Sequence, residues 1–127
     1  MKKTVIFSLV LLTSFSSLAN VTEATNKLQD LPSFSGAARC ERLAMLLGKD
    51  YSKYQEDADS VGQLYIVNAG IKDTRDAKFI MSASKRVNRS YITGVIHGVV
   101  GVTGMHDSQV AQMLYDQSCT NNYKGGI

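Results

Sequence analysis

The chain has 127 residues with one proline, two cysteines and no tryptophan, room for one small domain, since domains cluster near ~100–150 residues. Hydrophobic residues at 44% and charged residues at 20% exclude the compositions of disordered, collagen-like and low-complexity chains. The formal charge of +3 owes two units to Lys2 and Lys3, so the rest of the chain is nearly neutral.

Residues 1–19 read as a cleavable export signal. Lys2 and Lys3 give the positive start, Val5 to Leu12 is apolar apart from Ser8, and Ser17-Leu18-Ala19 has the small-x-small ending that signal peptidase cuts. The apolar run is too short to span ~30 Å of hydrocarbon, and no longer run follows, so no membrane span is expected after signal removal. Cleavage before Asn20 takes the 14 basic residues to 12 against 11 acids, about +1. That charge does not recruit nucleic acid. The Met-Lys-Lys start points to a bacterial periplasm.

Export decides how Cys40 and Cys119 are read. In an oxidising compartment the two pair by default, and their separation of 79 residues makes the bridge worth roughly 4.5 kcal/mol in the chain-entropy model. Redox chemistry normally uses Cys-x-x-Cys spacing, which is missing here.

In chain order, residues 20–32 are expected to be a loose arm or a short frayed helix closed by Leu31-Pro32. A helical domain over 33–120 follows. Its first helix is expected from about Ser35 to Leu47, capped by Ser33 or Ser35, with Cys40, Leu43, Ala44 and Leu47 on one face and Gly48 as the left-handed stop. Asp50 caps a second helix ending near Gly70, with a stripe of Tyr54, Ala58, Val61, Tyr65 and Asn68 beside Leu64, and with Glu56, Asp57 and Asp59 outside. Asp73 caps a third, whose stripe runs Ala77, Ile80, Ser84, Val87, Tyr91 and Val95. Lys78, Lys85, Arg86 and Arg89 decorate its solvated faces.

Residues 93–105 contain four glycines, a poor helix by propensity. Two readings stay open: a helix to about Val100, continuing the Tyr91, Val95, Val99 stripe with Gly94 and Gly98 on one face for close approach of another backbone, or a projecting loop. Asp107 is expected to cap a last helix, Ser108 to Cys119, with Val110, Met113 and Leu114 inward, before a polar tail at 121–127. The fold class is therefore all-α, about four main helices, with the disulfide joining the first helix to the last.

Catalytic machinery is not expected. His97 and His106 stand nine residues apart without the tight spacing of a zinc site. No Gly-x-Ser-x-Gly elbow presents a serine, and the acids of the second helix lack a partner arrangement for glycoside hydrolysis. No phosphate-cradling motif appears. The reading is no enzyme, no catalytic residue, no metal and no cofactor.

A cleavable signal, Ala38-Arg-Cys-Glu-Arg-Leu-Ala-Met-Leu-Leu47, Ser90-Tyr-Ile-Thr-Gly-Val-Ile-His-Gly-Val99 and Gln109-Val-Ala-Gln-Met-Leu-Tyr-Asp-Gln-Ser-Cys119 together resemble the small periplasmic immunity proteins of type VI secretion systems. The similarity points in particular to the immunity partner of the peptidoglycan hydrolase fused to a VgrG spike. The resemblance implies a helical, often dimeric protein that plugs the active site of a secreted peptidoglycan hydrolase toxin. A muramidase cleft lined by carboxylates calls for cationic groups and small residues, and Arg89, Tyr91, Gly94, His97, Gly98 and His106 offer that mixture as candidate partner-binding residues. Two other classes fit a small exported helical protein: a periplasmic chaperone or stress protein, and a phage- or plasmid-encoded exclusion protein.

Overall fold

The computed structural model describes residues 20–120; the expected export signal at 1–19 and the expected tail at 121–127 lie outside them. The described residues form helices joined by short turns, without strands. Helix α1 covers residues 20–30, α2 Pro32–Leu46, α3 Ser52–Asn68, α4 Thr74–Thr103 and α5 Asp107–Ser118.

The segment expected as a loose arm or a short frayed helix is the first of these helices, and it is packed rather than frayed. Val21, Ala24 and Leu28, spaced three and four apart, are buried with Phe34, Ala37 and Ala58, so one face of α1 belongs to the core. Leu31-Pro32 closes α1 as expected: Leu31 is extended, with ψ of 118°, and α1 ends at Asp30. Pro32 then occupies the first turn of α2, where its missing N–H removes nothing. That places the start of α2 ahead of Ser33, and Ser35 is buried rather than capping it, its hydroxyl donating to the Pro32 carbonyl at 3.3 Å.

The helix ends follow turn chemistry. Gly48 and Gly104 adopt φ of +65° and +70°, the left-handed region that side chains disfavour, and stop α2 and α4 there. Asp73 caps α4 by accepting from the N–H groups of Arg75 and Asp76 at 2.8 and 3.1 Å. Asp50 accepts from the Ser52 N–H at 2.9 Å at the start of α3. At α5 the helix begins at Asp107 itself, one residue before the expected start, and the His106 N–H donates to Gln109 Oε1 at 3.1 Å.

Two apolar cores result. The first joins α1, the start of α2, α3 and the start of α4 through Leu28, Phe34, Ala58, Ile66 and Ile80. The second joins the end of α2, the start of α3, the end of α4 and α5 through Leu43, Tyr54, Ile92, Ile96 and Val110. Cys40 and Cys119 belong to the second core and are bonded, with Cα atoms 5.7 Å apart. The bridge therefore ties α2, the second helix rather than the first, to the end of α5.

A polar layer separates the cores. Glu41, only 2% exposed, Ser84, Lys85 and Asn88 are all buried. Lys85 Nζ lies 2.7 Å from Asp59 Oδ1 and 3.6 Å from Glu41 Oε2, and Arg89 reaches Glu41 Oε1 at 3.5 Å. Asn88 accepts from Arg39 Nε at 2.9 Å and donates to the carbonyls of Ser84 and Gln29 at 3.0 and 3.2 Å. Ser84 donates to the Thr25 carbonyl at 3.3 Å. Lys85 is thus an internal partner rather than a solvated charge, Asp59 meets it from a part-exposed position on α3, and Asn88 ties α1 to α4.

The layer also corrects the register of α4. Its buried stripe runs Ile80, Ser84, Lys85, Asn88, Ile92 and Ile96, one position later than expected from Val87 onward, so Val87 and Tyr91 are exposed. On α3, Asn68 and Leu64 are exposed while Gly62 and Ile66 are buried, and on α5 Met113 is exposed while Ala111 is buried.

Candidate functional site

Helix α4 continues to Thr103, past the point where the loop reading placed a break. At 1.5 Å per residue its 30 residues make a rod of roughly 45 Å. Its buried side holds both cores, and its opposite side carries Val87, Tyr91, Gly94, Gly98, Gly101 and Val102, all exposed. Spacings of four, three, four and three residues from Val87 to Gly101 keep this stripe on one face. Tyr91 is 49% exposed and Val102 89%.

Among the described residues the glycines of this face meet no neighbour outside their own helix. A Cβ added at Gly94, Gly98 or Gly101 would meet no atom within 4 Å. Each glycine in a helix interior costs ~1 kcal/mol relative to alanine, so the sequence carries three such costs with no contact among the described residues to offset them. Gly62 shows the contrast, because a Cβ there would collide with the end of Met81 and lie 3.3 Å from Phe34 Cε2. A face stripped of Cβ atoms lets another backbone approach closely.

At one end of the stripe the Arg39 guanidinium lies 3.8 Å over the Tyr91 ring centroid. Since Arg39 Nε also donates to Asn88, the cation is held on the ring by the polar layer. A fixed ring and a fixed cation lose little conformational entropy on contact with a partner.

The six candidate residues do not form one site. Tyr91, Gly94 and Gly98 share the stripe. Arg89 turns instead toward α2 and its pair with Glu41, and His106 sits at the start of α5, on another element. His97 is exposed and lines a cleft of about 320 Å³ with Arg42, Leu46, Ile96 and the first turn of α5. Arg39, Gly101 and Val102 complete the face and went unassigned in the sequence. Gly101 carries a readable signal, three residues after Gly98, whereas the approach of Arg39 from α2 does not.

Among the described residues no group of three or more His, Cys, Asp or Glu side chains is placed to hold a metal ion. No helix among them is long and apolar enough to cross a membrane. No family model, curated protein or solved structure matches the chain.

Proposed function

We propose that this protein is a periplasmic immunity protein, which binds a secreted peptidoglycan hydrolase of the muramidase type through the exposed face of α4 and blocks it. The observation that carries this reading is the run of three open glycines on that face. Beside them, Tyr91 and the Arg39 cation stacked on it suit a cleft lined by carboxylates, the feature such hydrolases share. The Cys40–Cys119 disulfide fits an exported chain in an oxidising compartment. No step of catalysis belongs to this chain; it acts by occupancy.

The test mixes the mature, oxidised protein with the candidate hydrolase and follows the clearing of a cell-wall suspension. Excess protein should suppress clearing. Undiminished digestion would end the proposal for that enzyme. A second copy is the competing occupant of the stripe, since two-fold pairing is the commonest assembly of soluble proteins. Sizing chromatography of the chain alone, and then with the hydrolase, separates the two occupants.

A further inference from the structure

The cleft lined by His97 has a chemistry of its own. Leu46, Ile96 and Ala111 wall it with apolar surface, and Arg42 and Asp107 supply the charges. Arg42 Nε is buried and meets no hydrogen-bond acceptor. None of the ion pairs among the described residues includes Arg42, and its neighbour Glu41 is taken by Lys85 and Arg89. With Nε closed to solvent, a carboxylate in the cleft is met end-on by the two terminal nitrogens of the guanidinium, through two parallel N–H···O bonds.

We propose that this cleft binds a carboxylate on a short aliphatic stem, with the carboxylate on Arg42 and the stem between Leu46 and Ile96. At about 320 Å³ the cleft is at the small end of ligand cavities, ~300–1,000 Å³. Asp107 lines the same space and repels a second negative charge, so the preferred ligand carries one carboxylate and is otherwise neutral. The same chemistry is offered by a small free acid and by a glutamate side chain of a bound protein. The site does not depend on the hydrolase reading, because it is assayed on the isolated chain.

The experiment titrates the isotope-labelled, oxidised chain with butyrate at constant ionic strength and follows amide and Arg42 Nε–H resonances by NMR. Saturable shifts at Arg42 Nε–H and at the Asp107 and Ser108 amides are expected, with none from butyramide. Arg42→Gln should abolish them. Asp107→Asn, a change at an exposed residue, should tighten binding several-fold and remains informative if the Arg42 variant does not fold. A blocked tripeptide with one glutamate separates the sources: tenfold tighter binding than butyrate assigns a protein side chain, and equal binding a small acid. Equal shifts from butyramide, shifts that survive Arg42→Gln, or no gain from Asp107→Asn would overturn the proposal.

Discussion

Tyr54 packs its ring in the second core while its hydroxyl donates to the Cys119 carbonyl at 3.0 Å. That bond uses its only proton, so Tyr115, whose hydroxyl lies 3.0 Å away, donates to the Tyr54 oxygen. Burial first, and then the Tyr115 hydroxyl, push the Tyr54 phenol up from 10.0 to about 12. Because the folded value is the higher one, the stabilisation is complete below pH 10 and is lost as pH rises through 12. Urea midpoints between those values should fall less steeply for Tyr54→Phe than for wild type; parallel profiles would contradict the assignment. In the polar layer, Lys85→Met leaves the buried Glu41 with Arg89 as its partner and should cost up to about 3 kcal/mol, read from the urea midpoint. Adding Glu41→Gln should recover most of that loss, and a fully additive double variant would show the two groups to be uncoupled.

The long helix shows what an element reveals through its sequence and what it conceals. Its start at Asp73 is legible, because an N-cap carboxylate is a local device, whereas its end, expected near Val100 or earlier in a loop, lies at Thr103 before the left-handed Gly104. Its inward face is legible only as far as Ser84. Beyond that, Lys85 and Asn88 look like surface by residue type, so the apolar period shifts onto Val87 and Tyr91. The partners that bury Lys85 and Asn88 come from α1, α2 and α3, which no local spacing encodes. The exposed glycines give the prediction at this scale. Gly94→Ala and Gly98→Ala add a methyl group into open space and should each stabilise the isolated chain by about 1 kcal/mol, measured by thermal unfolding. A loss of stability would mean that the glycines serve the fold.

At the scale of the molecule, two small cores and a polar layer are closed by one bond between residues 79 apart. The pairing of Cys40 with Cys119 and the all-α class were readable in the sequence, from the cysteine count and the helical stripes. The packed position of α1 was not, because its apolar side consists of Val21, Ala24 and Leu28 in an otherwise polar stretch. Replacing both cysteines with serine should lower stability by about 4.5 kcal/mol, seen as a shift of the urea midpoint under non-reducing conditions. An unchanged midpoint would show that the cores alone set the stability. The most direct test of the proposed function is a titration of the candidate hydrolase with wild-type protein and with Gly94→Leu/Gly98→Leu, two changes on the open face of α4. Intact helical structure with at least tenfold weaker inhibition is the predicted result. Inhibition equal to wild type would contradict it, because the partner would then not be seated on that face.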